Sequence, residues 1–113
     1  MKERRKGKRV VITCVAEVTS LSKNVDLEGY VTNISRIGLG MMTRKKLDEG
    51  DEVIVKLNFF GMNGVNEVEN VRGRVKRVAP LANVFSVGIQ FEIANEKEAS
   101  HLFAYIDAAE KSL

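Results

Sequence analysis

Glu52-Val53-Ile54-Val55-Lys56-Leu57-Asn58-Phe59 puts an apolar residue at every second position, with Val53, Val55, Leu57 and Phe59 on one side and Glu52, Ile54, Lys56 and Asn58 on the other. A period of two is that of a half-buried β-strand, because successive side chains of an extended chain point to opposite faces. Working outward, Leu47-Asp48-Glu49-Gly50-Asp51 reads as the turn before this strand. Asn63-Gly64 after it is a hairpin signal, since both residues accept the positive φ of a type I′ turn. The returning strand is expected from Val68 to Val78, with Val71, Gly73, Val75 and Arg77 alternating with Arg72, Arg74 and Lys76, and Pro80 ending it.

The rest of the chain reads the same way. Residues 10 to 18 form a first strand with Ile12, Cys14, Ala16 and Val18 on one face and Thr13 and Glu17 on the other. Ser20 to Asp26 is a polar loop, Glu28 to Ile34 a second strand, and Leu39 to Thr43 a third, with Gly38 and Gly40 easing the bend between the second and third. Val84 to Glu92 supplies a sixth strand. Asn95-Glu96-Lys97-Glu98 then carries the capping-box pattern, so a helix is expected over 95–112. Ala99, Leu102, Phe103, Ile106 and Leu113 fall near helical spacing, which gives that helix an apolar face to pack on or plug the sheet.

With 113 residues, 44% hydrophobic and 29% charged, the chain has the size and composition of one soluble globular domain. No apolar run approaches the roughly 20 residues of a membrane span, and no signal-peptide core follows the basic N-terminus. Membrane insertion is therefore not expected, and a cytoplasmic location is. The single cysteine, Cys14, cannot form an internal disulfide and reads as core packing. The net charge of +3 is unevenly spread: the first nine residues hold six Lys or Arg against one Glu, and the remainder is slightly acidic. An anion is drawn to the N-terminal segment.

Catalysis has little to work with. One His and one Cys cannot build a metal cluster, no Ser, His and acid arrangement assembles, and Gly38-Leu39-Gly40 lacks the further glycine and helix of a dinucleotide fingerprint. His101 is placed on the helix surface or rim, and Met41 and Met42 at core and edge. What the chain does offer is Arg5-Lys6-Gly7-Lys8-Arg9 and Asn33-Ile34-Ser35-Arg36-Ile37-Gly38. Arginine forks can donate paired hydrogen bonds to guanine O6 and N7, grip a phosphate, or stack on a purine. The second string adds an amide, a hydroxyl and a glycine, which suit a base edge or phosphate brought close to the backbone and equally suit an ordinary turn.

Written RxxxR and [D/N]xSxxG, the two strings together resemble the signature of the PilZ domain, a bacterial receptor for cyclic di-GMP. The resemblance extends to Gly38-Leu39-Gly40, Gly50-Asp51-Glu52-Val53, Gly73-Arg74-Val75 and Val87-Gly88-Ile89-Gln90-Phe91, and so to nearly the whole chain. It implies an all-β fold, a six-stranded antiparallel β-barrel over 10–92 with a C-terminal helix and a flexible basic arm over 1–9. It also implies a binding role without catalysis, metal or further cofactor, in which the closing arm relays the signal to an effector protein the sequence does not name.

By the same resemblance Arg5 and Arg9 contact guanine and phosphate, Asn33 and Ser35 reach the second guanine edge, and Gly38 permits close approach. Arg77 stands where many relatives carry tryptophan, and its guanidinium plane can stack on guanine in the ring's stead or remain a solvated strand residue. Arg4, directly before the first motif, implies a stacked pair of ligands, since an arginine there tends to accompany two. The competing readings are a small basic nucleic-acid-binding β-barrel, disfavoured by the want of an aromatic stacking series, and a non-binding interaction domain of the same fold.

Overall fold

A computed structural model describes the backbone of residues 10–60, 66–93 and 96–111, and the side chains of 14–58, 68–93 and 97–108. The six strands are β1 (Val10–Ser20), β2 (Val25–Ile34), β3 (Gly38–Thr43), β4 (Glu52–Phe60), β5 (Asn66–Leu81) and β6 (Val84–Phe91). They close into an antiparallel barrel in the order β1-β2-β3-β6-β5-β4, with β4 returning to β1. A 3₁₀ turn, Glu96–Ala99, leads into the helix α1, Ser100–Lys111. No helix among the described residues is long and apolar enough to cross a membrane.

The alternation in β4 sets the barrel interior. Val53, Val55 and Leu57 are completely buried, and so are Ala16 and Val18 of β1, whose ladder with β4 pairs Ala16 with Leu57 and Val18 with Val55. Val31, Ile34, Leu39, Met41, Val71, Val75, Val87, Ile89 and Phe91 complete the apolar lining. Leu47, from the connection between β3 and β4, joins the same core. Side chains of alternate residues thus fill the barrel, which leaves the outward positions for solvent and ligands.

The 3₁₀ turn buries Ala99 and helix α1 buries Leu102 and Ile106 against this core, as the spacing predicts, with Phe103 and Tyr105 half-buried beside them. Its N-terminus is capped from the barrel. A carboxylate oxygen of Glu69 on β5 accepts hydrogen bonds from the amides of His101 (2.8 Å) and Leu102 (3.1 Å). These are two of the amides that a helix start leaves without a partner, and a negative charge there also opposes the helix dipole. The expected capping residue Asn95, the Asn63-Gly64 hairpin, the inward face of Phe59, Ile12 and Thr13, and Leu113 lie outside the described residues or side chains.

Several boundaries differ from the sequence reading. The loop expected from Ser20 to Asp26 is shorter, because β1 runs to Ser20 and β2 begins at Val25; Asn24, at φ 55°, makes the turn. Pro80 does not end β5, which continues to Leu81 and pairs Pro80 with Phe85 before a turn at Ala82 (φ 54°). The physical reason is that β4 pairs with β5 only as far as Arg74, so beyond it β5 has a free edge on one side, where a residue without an amide hydrogen is tolerated. Gly38 and Gly40 lie within β3 and do not ease a bend. A Cβ on Gly38 would sit 2.3 Å from the Ile89 carbonyl oxygen, so close approach of β3 to β6 is what requires glycine there.

The Glu69 cap carries a test. Replacing Glu69 with Ala is expected to cost about 1 kcal/mol, the usual worth of a helix cap. Urea unfolding reads this, and faster amide exchange at His101 and Leu102 should accompany it.

Candidate functional site

Three strands carry one residue more than their neighbours, and the extra residues fall at one level of the barrel. Along β1 the register slips between Val11 and Cys14, along β2 between Val31 and Asn33, and along β5 between Val75 and Arg77. In β2 and in β5 the extra residue shifts the inward and outward phase of the strand by one. In β2 the buried residues Leu27, Gly29 and Val31 are followed by Ile34, so Asn33 turns outward at the position where alternation alone would bury it. In β5 buried Val71, Gly73 and Val75 are followed by exposed Lys76 and Arg77 and half-buried Val78. Arg77 therefore does not share a face with Val71, Gly73 and Val75 as the sequence reading had it; the bulge at Lys76 separates them.

The consequence is a single outward row. Asn33 pairs with Gly40, Gly40 with Gly88, and Gly88 with Arg77, and Val11 continues the row onto β1. An amide and a guanidinium thus flank two neighbouring strands that carry no side chain at this level. The two glycines are there for different reasons. A Cβ on Gly40 would meet the Asn33 side chain at 2.8 Å, so glycine lets that amide lie across β3. At Gly88 the nearest atom would be the Cβ of Arg77 at 3.8 Å, which is ordinary contact, so nothing in the fold excludes a larger residue.

Asn33 is held in place by donating from Nδ2 to Thr32 Oγ1 (3.2 Å), and Thr32 Oγ1 donates to the Gly40 carbonyl (3.2 Å). Ser35 sits deeper. It is 1% exposed, its hydroxyl donates to the Gly38 carbonyl (3.4 Å), and it accepts from the Ile37 amide (3.2 Å). The Ser35 amide also donates to the Gly38 carbonyl (2.8 Å), so this residue shapes the turn between β2 and β3. Arg36 of the same turn is committed to the helix: its guanidinium donates to Asp107 and lies 4.8 Å from the centre of the Phe103 ring. Sequence reasoning passed over Arg36 and both floor glycines, Gly40 and Gly88, as site residues; nothing in their spacing separates them from ordinary strand and turn residues.

The arginines of β5 differ in their availability. Arg74 donates to the Gly50 carbonyl and to Glu52 (both 2.9 Å) and pairs with Glu92 at 3.5 Å. Arg77 is exposed and makes no hydrogen bond or ion pair among the described residues. Its fork is available to an anion or a base edge. The Arg4, Arg5 and Arg9 assignments lie outside the described residues.

No group of three His, Cys, Asp or Glu positioned for a metal ion occurs among the described residues. Burial raises the Cys14 thiol above its ordinary pKa, which keeps it protonated at neutral pH and suits packing better than nucleophilic chemistry. The arrangement offers an amide and a guanidinium to a planar, hydrogen-bonding anion.

Comparison with known proteins identifies the family and the fold. The sequence model of the PilZ domain matches residues 3–108. The chain belongs to the PilZ domain family. Among solved structures it is similar to the PilZ domain with c-di-GMP of YcgR from Escherichia coli, at 17% identity and a TM-score of 0.74, over 97% of this chain and 94% of that one. It also resembles the Bacillus subtilis inhibitor of motility MotI/DgrA (14% identity, TM-score 0.76, 98% of this chain) and the K. pneumonia MrkH–c-di-GMP complex (14%, 0.68, 99%). It spans 53% of the former and 57% of the latter, so the PilZ barrel is about half of those proteins. No curated protein sequence matches. At these identities the structures establish the shared fold.

The two floor glycines differ in what a side chain placed there would displace. Gly88→Ala is expected to leave stability unchanged or raise it by up to about 1 kcal/mol, since glycine weakens a strand and the new methyl has room. Gly40→Ala is expected to push the Asn33 amide from its place at little cost in stability, since the atom the new methyl meets is the end of a half-exposed side chain. Thermal unfolding of the two proteins, with the Asn33 side-chain amide resonances followed by NMR, checks the contrast.

Proposed function

We propose that this chain is a cytoplasmic receptor for cyclic di-GMP, and that the ligand lies across the Gly40 and Gly88 floor between Asn33 and Arg77. The observation that carries the reading is that row. It brings the amide of the NxSxxG motif and an arginine with no hydrogen bond or ion pair among the described residues, 44 positions apart in sequence, to the two ends of a surface without side chains. Membership of the PilZ family supports it, as do the similar structures described with c-di-GMP.

Recognition follows from the chemistry of the groups. Guanine offers O6 and N7 acceptors to an arginine fork, and a carboxamide can both donate to and accept from a base edge. The cyclic phosphates call for cations, which Arg5 and Arg9 supply from the basic arm at residues 1–9, with Arg4 as a further fork for a second stacked ligand. Ser35 and Gly38 hold the turn that presents Asn33, and Ser35 retains an oxygen lone pair that can accept from the ligand. Arm closure over the bound dinucleotide changes the surface offered to an effector protein, and no catalytic step is required.

Calorimetric titration with cyclic di-GMP tests this, beside GMP, cyclic di-AMP and single-stranded RNA at two salt concentrations. Saturable binding of cyclic di-GMP is expected, with weak competition by the adenine dinucleotide. Asn33→Ala and Arg77→Ala should each weaken it by roughly 1–3 kcal/mol without lowering the melting temperature. Gly88→Leu should abolish it while the barrel stays folded. RNA binding that exceeds cyclic di-GMP binding and falls steeply with salt would favour the nucleic-acid reading instead.

The arm makes a separate prediction. The double variant Arg5→Ala, Arg9→Ala should lose binding and keep its thermal stability, and ligand should protect residues 2 to 9 from proteolysis. Titration to saturation also counts ligands: two per chain are expected, falling towards one in Arg4→Leu.

A further inference from the structure

The outward row next to the floor is built differently. Tyr30 on β2 pairs with Met42 on β3, Met42 with Ser86 on β6, and Ser86 with Ala79 on β5, while Val15 extends the row onto β1. Tyr30 and Asn33 are consecutive outward positions of β2 on either side of the bulge. The two rows are therefore about 7 Å apart, two residues of extended chain. An aromatic side chain reaches a diagonal neighbour at that distance, so the Tyr30 ring is within reach of the space above Gly40.

Tyr30 is 62% exposed, the most exposed of the large hydrophobic residues described, and its hydroxyl has no hydrogen-bond partner among the described residues. Met42 on β3 and Val15 (41% exposed) on β1 flank it within its row with apolar surface. Ser86 and Ala79, both small, keep the second row low as it continues towards β5. A purine seated on Gly40 and Gly88 thus has a guanidinium plane available from Arg77 at one wall and an aromatic plane available from Tyr30 at the other.

The geometry points to Tyr30 as a ligand-contacting residue that stacks on a purine of the dinucleotide bound across the Gly40 and Gly88 floor. The inference deepens the receptor reading and rests on it. Base-on-tyrosine stacking is indifferent to hydrogen-bonding edges, so Tyr30 supplies affinity and orientation, while Asn33 and Arg77 read the base.

The chain contains two tyrosines and no tryptophan, so Tyr30 can be observed directly. In a Tyr105→Phe protein, Tyr30 is the sole tyrosine, and its fluorescence should be quenched in step with calorimetric binding of cyclic di-GMP. A Tyr30→Leu protein, which keeps Tyr105, corrects for absorption by the nucleotide. Tyr30→Leu should bind roughly ten-fold more weakly with unchanged melting temperature, and Tyr30→Phe within about two-fold of the unaltered chain. Calorimetric binding without quenching of Tyr30, together with full affinity in Tyr30→Leu, would overturn the assignment and leave the receptor reading intact. No binding of cyclic di-GMP to the unaltered chain would overturn both.

Discussion

In a closed barrel every strand must send alternate residues inward, and a strand that does so without interruption has no freedom over which side chains it shows outside. The chain escapes that constraint at one level only. One extra residue in β2 and one in β5 reset the phase of those strands, while β3 and β6 pass the same level with glycine. Below the break the core residues keep their positions, as Val31 and Val75 show, and above it Ile34 resumes the lining. The outward turn of Asn33 and Arg77 is the product of that reset. Their separation across the floor is fixed by the ladders of β2, β3, β6 and β5, which tie the binding surface to the most buried part of the protein.

Much of this was legible in advance, and what was missed has an identifiable signal. The alternation of Val53, Val55 and Leu57 gave β4 its face, and the helical spacing of Ala99, Leu102 and Ile106 gave α1 its own. The bulges are written as a spacing of three between apolar residues, Val31-Thr32-Asn33-Ile34 and Val75-Lys76-Arg77-Val78, where a regular strand has two. Strict alternation read through that interval and grouped Arg77 with the core face. The continuation of β5 through Pro80 depends on where β4 stops, and the cap on α1 on a glutamate far away in sequence. Both are tertiary facts that local pattern does not contain. The register that aligns Gly40 with Gly88 is of the same kind.

The NxSxxG string divides its labour more sharply than its uniform polarity suggests. Asn33 faces outward, Ser35 is buried in the hydrogen bonding of its own turn, and Arg36 is drawn away to Asp107 and Phe103 on the helix. Gly38 answers to the carbonyl of Ile89, across the ladder to β6. A short motif thus joins an outward-facing amide, a turn, a helix anchor and a strand contact within six residues. Substitutions in it will rarely affect binding alone, so loss of binding at Ser35 or Gly38 is weaker evidence for ligand contact than loss at Asn33.

Closure of the barrel also governs how the chain must acquire its structure. Ala16 meets Leu57 and Thr43 meets Phe85, so two of the six seams join segments far apart in sequence, and neither can zip from a tight turn. Until both seams form, β1, β3, β4 and β6 each present an unpaired edge, the kind of surface on which chains associate wrongly. Folding is accordingly expected on the millisecond-to-second scale of non-local β topologies, well behind helical proteins of similar length. The vulnerable period is the interval before β4 finds β1, when the valines and leucine that will line the barrel are exposed to neighbouring chains.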